Sequence, residues 1–151
     1  MSDSQVFMMG EFSAEFPNDR HYAKNHMWAL PVSQHTYRFG FTAYAVRLLQ
    51  DVYFLDWIID APSQLLPQQT IGAIESSKAE SDLYAPLEGK LIQFNETLLS
   101  DPALINVDMY HQGWLFEFEG SGDELLSLTE YIEHLTAVWE VAQRTIKGQL
   151  A

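Results

Sequence analysis

The chain contains no cysteine. That excludes a disulfide framework, zinc–thiolate sites and a cysteine nucleophile, so any redox chemistry has to come from an attached group. Positive charge is also scarce. Eight Lys and Arg stand against 21 Asp and Glu, for a net charge of −13. This balance argues against a nucleic-acid or anionic-membrane partner and favours docking against basic surfaces. No apolar run approaches the ~20 residues of a membrane span. The opening MSDSQVFMMGEF is acidic and lacks both a basic start and a sustained apolar stretch. It does not read as a signal or transit peptide, and the cytoplasm is the expected compartment.

Catalytic signatures are missing too. There is no Gly-rich phosphate loop and no G-x-S-x-G elbow. His21, His26, His35, His111 and His134 are scattered without metal-ligand spacing, so no metal site is expected. Carboxylate pairs such as Glu75/Glu80 and Asp82/Glu88 abound, but in so acidic a chain their adjacency carries little information. No catalytic residue is assigned, and a non-catalytic role is expected.

What is present is a core. The chain has 151 residues, 47% of them hydrophobic, with four Trp, seven Tyr and nine Phe. That suffices for one folded domain without staples. Residues 1–15 lack periodicity and read as a flexible arm, ahead of a body over 16–126. Tyr37–Phe41, Val52–Ile59 and Lys90–Phe94 read as strands, Val52–Ile59 as one buried on both faces. Pro31 to Thr36 reads as a turn. Thr42 can cap a short helix over Ala43–Leu49, and Ser100-Asp101-Pro102 starts another. Trp114, Phe116 and Phe118 alternate inward against Glu117 and Glu119. Ser127 to Glu130 has the spacing of a capping box. It opens a terminal helix over 127–148, with Ile132, Leu135, Trp139, Ala142 and Ile146 on one face and Gly148 placed to end it. An all-β body with minor helices follows, its alternating aromatics buried between two antiparallel sheets packed face to face.

The most informative stretch is Ile71–Gly89, IGAIESSKAESDLYAPLEG. Ile71, Ala73 and Glu75 alternate with Gly72, Ile74 and Ser76, as in a strand. Ser76, Ser77 and Lys78 interrupt the run, and a return strand closes at Pro86 and Gly89. One of only four lysines therefore sits at a hairpin tip among Glu75, Glu80 and Asp82.

Glu75-Ser76-Ser77-Lys78-Ala79, then Ser81-Asp82-Leu83-Tyr84-Ala85-Pro86 and Gly89, resembles the lipoylation hairpin of the glycine cleavage system H proteins. Phe39-Gly40-Phe41-Thr42-Ala43-Tyr44-Ala45 is similar to the family's VGITDYA. Leu98 to Asn106 resembles its L-x-x-x-P-x-L-V-N, and Tyr110–Leu115 its Y-x-x-G-W-L. The resemblance runs from about Phe16 to about Tyr131. It implies a lipoyl/biotinyl-type barrel-sandwich hybrid carrying covalent lipoate on Lys78. Glu75, Ser76, Ser77 and Ala79 would be read by a lipoate ligase or lipoyl transferase, and Asn25, Met27, Tyr44 and Asp82 would line a cavity for the arm. The implied partners are a pyridoxal-phosphate glycine decarboxylase, an aminomethyltransferase and a dihydrolipoyl dehydrogenase.

The chain departs from the family where His26-Met27-Trp28 replaces a histidine–glutamate–tryptophan run and Ala43 replaces the aspartate of VGITDYA. Two other readings therefore stay open: a lipoyl carrier of another pathway, such as sulfur-compound oxidation, and an unlipoylated interaction module.

Overall fold

In the computed structural model the described residues are 4–150, with side chains described through Val141. The elements run β1 (Ser4–Met9), β2 (Phe12–Pro17), β3 (His21–Tyr22), β4 (Met27–Ser33), β5 (Thr36–Phe41), α1 (Ala43–Leu49), β6 (Val52–Trp57), β7 (Ser63–Leu65) and β8 (Thr70–Ser76). They continue with β9 (Glu80–Tyr84), β10 (Gly89–Phe94), α2 (Thr97–Ser100), α3 (Leu104–Val107), β11 (Phe116–Glu119) and α4 (Leu128–Leu150). A six-stranded sheet has the order β3-β4-β5-β11-β10-β7, and a three-stranded sheet has the order β6-β8-β9. Their apolar faces share one core, which includes Phe39, Phe41, Leu55, Ile71, Ile74, Leu83, Leu91, Phe116 and Phe118.

A second core lies across the six-stranded sheet. Strand pleating sends neighbouring side chains to opposite faces, and Met27 joins the first core while Trp28 joins the second. Trp28 is fully buried, and its indole N–H donates to the Met109 carbonyl at 3.0 Å. It pairs across the ladder with Gly40, where a Cβ would come 2.4 Å from the Trp28 ring. The second core also takes Phe16, Tyr22, Tyr44, Tyr131 and Leu135.

The expected loose arm is corrected from Ser4 onward. Residues 4–17 form an antiparallel hairpin in register from Ser4↔Pro17 to Met9↔Phe12. Met9, Ala14 and Phe16 on one side are buried against the second core, while Val6 and Met8 remain exposed. Burial of one face holds the hairpin, and each large apolar side chain so covered contributes roughly 1.5–3 kcal/mol.

Three further readings change. β6 is not buried on both faces: Tyr53 and Phe54 are exposed, because the three-stranded sheet turns one face to solvent. β4 extends through Pro31 to Ser33, so the turn is confined to Gln34 and His35, with His35 at φ 64°. α4 runs through Gly148 to Leu150, and the centre of its buried face is Tyr131 with Leu135. Ile132 and Trp139 pack at the margins of that face. The side chains of Ala142 and Ile146 lie outside those described. Its start is as expected. Ser127 N–H donates to Glu130 Oε1 at 2.9 Å, and Glu130 N–H donates to Ser127 Oγ at 3.2 Å.

Candidate lipoyl-attachment hairpin and arm groove

β8 and β9 pair antiparallel, with Glu75 opposite Glu80 and Ile74 opposite Ser81. Ser77, Lys78 and Ala79 form the tip between them, all exposed. Ser76 organises it. Its hydroxyl accepts from Lys78 N–H at 3.3 Å and Ala79 N–H at 3.1 Å, and donates to the Ala79 carbonyl at 3.2 Å. The Ser76 backbone N–H also donates to Ala79 O at 2.8 Å. A serine closing a turn through its own backbone neighbours is a local device. Ser77 ties the tip to the residue before β6: its N–H donates to Asp51 O at 2.9 Å, and its hydroxyl accepts from Asp51 N–H at 3.1 Å. The lysine stem thus rises from a fixed base.

Beside the hairpin runs a groove of about 290 Å³. Asn25, His26 and Met27 form one wall, Ala45, Leu48 and Leu49 of α1 another, and Ser81 to Tyr84 of β9 a third, with Phe41 and Ile74 beneath. Its lining is mainly apolar, with polar side chains from Asn25, His26, Ser81, Asp82 and Tyr84. Asn25 Nδ2 donates to Tyr84 O at 3.4 Å, linking two of the walls. Asp82 lies on β9, two residues past its start at Glu80.

Of the expected cavity residues, the structure brings Asn25, Met27 and Asp82 together in this groove. Met27 is a buried wall residue, only 2% exposed. Tyr44 is placed one layer behind: its ring lies tilted at 4.6 Å from His26 and meets Phe7 and Trp139 in the second core. The sequence reading missed His26 and the α1 face. Ala45, Leu48 and Leu49 do carry a signal, an apolar i, i+3, i+4 pattern.

His26 belongs to a hydrogen-bonded chain that runs behind the groove wall. Its Nδ1 lies 3.0 Å from the Tyr131 hydroxyl, which in turn lies 2.9 Å from Thr42 Oγ1. Burial, with His134 nearby, pulls its pKa from 6.5 down to about 4. The imidazole is therefore neutral at physiological pH. Among the described residues no group of His, Asp and Glu could hold a metal ion.

A hairpin-tip lysine on a barrel-sandwich hybrid, above an apolar groove, defines a carrier domain of the lipoyl/biotinyl class. Comparison with known proteins makes the assignment specific. The family model described as Glycine cleavage H-protein matches residues 20–138, and the chain belongs to that family. It is similar to the glycine cleavage system H protein of Mycobacteroides abscessus, 42% identical over 107 residues that cover 71% of this chain and 81% of that one. The glycine cleavage system H protein of Thermus thermophilus is 36% identical over 125 residues, covering 80% and 96%. The crystal structure of a glycine cleavage system H protein from Mycobacterium marinum superposes with a TM-score of 0.66 at 30% identity, over 81% of this chain and 98% of that one. The β1–β2 hairpin precedes the matched segment, and the last turns of α4 follow it.

Proposed function

We propose that Lys78 carries lipoate and that the chain serves as the mobile, non-catalytic carrier of a cytoplasmic glycine cleavage system. The observation that carries this reading is the exposed Lys78 on a tip held by Ser76 and Ser77, next to a groove whose apolar walls suit an acyl chain. The residues fit the group. Ile74, Leu83, Leu48 and Leu49 offer dry contact to hydrocarbon, while Asp82 and Asn25 offer polar contacts at the mouth.

Lipoate, when bound, supplies a redox-active disulfide on a flexible acyl chain. Every other part of the task falls to the chain's own residues. An ammonium does not acylate itself, so a lipoate ligase or lipoyl transferase has to read the tip, using Glu75, Ser76, Ser77 and Ala79. Glu75 and Glu80 face each other across β8–β9, and Asp56 and Asp82 flank Ala73. Glu75 and Glu80 put negative charge next to the Lys78 tip, Asp56 and Asp82 extend it along the sheet, and together they steer basic docking surfaces to this end. Asn25, Met27 and Asp82 form the resting site of the arm, and Tyr44 backs its wall. Tethering raises the effective concentration of the reactive end at each partner in turn. Those partners are glycine decarboxylase, aminomethyltransferase and dihydrolipoyl dehydrogenase.

The test is the intact mass of the protein after incubation with a lipoate ligase, ATP and lipoate. A gain of one lipoyl group, abolished in Lys78→Arg, is the expected result. No gain, with a standard H protein modified in parallel, overturns the assignment. Exchange of carbon dioxide with glycine, on adding the decarboxylase to the lipoylated chain, then tests the pathway.

A further inference from the structure

The hydrogen-bonded chain behind His26 has a defined sense, which follows from counting protons. Thr42 Oγ1 is fully buried and has two polar neighbours among the described residues. Ala45 N–H donates to it at 3.4 Å, and Tyr131 Oη lies at 2.9 Å. The Thr42 hydroxyl has one proton, and a buried donor needs an acceptor. Tyr131 Oη is the acceptor within reach, so Thr42 donates to Tyr131. The Tyr131 hydroxyl then has its own proton to place, and the acceptor left to it is His26 Nδ1 at 3.0 Å. Nδ1 is thus the bare nitrogen of His26, and the neutral ring carries its proton on Nε2.

Nε2 lies across the ring from the nitrogen held by Tyr131, and His26 lines the arm groove. No described residue accepts from it. The backbone of His26 is also held in the left-handed region, at φ 69°, by its N–H donating to Ala23 O and its carbonyl accepting from Thr42 N–H, both at 3.1 Å. For a side chain other than glycine this conformation is strained, and such strain clusters at ligand clamps. The ring also packs near Tyr44 and His134, at centroid distances of 4.6 and 5.8 Å.

We propose that His26 is a positioning residue of the arm groove, donating its Nε2–H to a hydrogen-bond acceptor on the docked arm, either the amide oxygen or a sulfur. The donor is set from the terminal helix, through Tyr131. An ammonium gains nothing from this nitrogen. The exposed Asp82 carboxylate on β9 serves a cation instead, so donor and carboxylate give the groove two poles. This inference rests on the reading that the arm on Lys78 docks in the groove.

Histidine nitrogen–proton correlation spectra of the full chain test it, together with methyl spectra of Ile74, Leu48 and Leu83. Four states are compared: unmodified, octanoyl-loaded, lipoyl-loaded, and lipoyl-loaded then reduced with a phosphine. Unmodified protein is expected to show the Nε2–H tautomer at His26, and loading is expected to shift that resonance. A shift with the octanoyl arm assigns the amide oxygen, and a shift confined to the lipoyl states assigns sulfur. Methyl shifts with an unmoved His26 overturn this inference alone. No methyl shift in any loaded state overturns the groove reading as well. An Nδ1–H tautomer overturns the proton count. Tyr131→Phe is expected to let the two tautomers mix, and a spectrum unchanged by it overturns the role of the terminal helix.

Discussion

The hydroxyl of Tyr131 stands 3.0 Å from Nδ1 of His26, across 105 residues of sequence. Through it the C-terminal helix and the wall of the arm groove form one structural unit. Tyr131 is fully buried, stacks on Tyr22 at 4.8 Å and meets Phe16 edge-on at 5.5 Å. Its ring supplies packing and its hydroxyl supplies direction.

Separating those two contributions needs two substitutions. Tyr131→Phe keeps the ring but strands the hydrogen-bonding groups of Thr42 and His26, and is expected to cost about 1–3 kcal/mol. Tyr131→Ala also opens a cavity, for about 3–5 kcal/mol. Urea unfolding of both variants measures the difference. No loss in Tyr131→Phe would mean the hydroxyl carries nothing.

Acid sensitivity follows from His26. Burial lowers its pKa to about 4 in the folded chain against 6.5 unfolded. Between those values the unfolded state binds the extra proton, so stability falls as pH drops from about 6.5 to about 4 and does not change above that window on this account. The loss amounts to ~3 kcal/mol at most. His26→Gln is expected to flatten the slope between pH 7 and pH 4.5. A residual acid limb remains at lower pH. There the Arg20 hydrogen bond holds Asp19 below its usual range, and backbone N–H groups of Gln112 and Ser127 do the same for Asp108 and Glu130.

Ser76→Ala removes the hydroxyl that closes the lysine tip. The tip is a loop outside the core, so the melting temperature is expected to move by only a few degrees. The rate of lipoate attachment is expected to fall roughly fivefold, the equivalent of about one hydrogen bond of lost organisation. Single-turnover ligation kinetics at matched enzyme concentration read it, and an unchanged rate would show that the ligase rebuilds the tip itself.

Gly40→Ala drives a methyl group into the Trp28 ring, at 2.4 Å before any relaxation. The Trp28 ring is held by packing and by its bond to Met109 O, so it yields poorly. A loss of about 1–3 kcal/mol or more is expected, with a changed tryptophan fluorescence maximum.

Phe16→Ala tests the terminal hairpin. Phe16 is fully buried and packs edge-on against both Tyr22 and Tyr131. If β1 and β2 belong to the fold, the substitution costs about 3–5 kcal/mol in denaturant unfolding. A change near zero would mean that β2 does not pack on the second core.

Much of this was legible in sequence. Thr42 caps α1, Ser127 and Glu130 cap α4, and Ser76 to Lys78 make a turn, because each device joins residues two or three apart. The alternation of Phe116 and Phe118 against Glu119 marked an inward face, although Leu115 is also fully buried just ahead of it. The terminal hairpin was not legible. SQVFMM and FSAEFP lack clean alternation, and their pairing is held by contacts with Tyr44, Tyr131 and Trp139 far along the chain.

The chain's own order of residues determined the lysine hairpin, the absence of thiol chemistry, the acidic composition and the family. These are properties of composition or of near neighbours, which no later packing alters. Tertiary structure alone decided which side of β4 each neighbour serves, placing Met27 in the groove wall and Trp28 in the second core. It also moved Tyr44 behind the wall and put His26 in it, with its proton assigned by Thr42 and Tyr131. Those outcomes depend on long-range contacts and on burial in a low-dielectric interior, and neither is a property of local sequence.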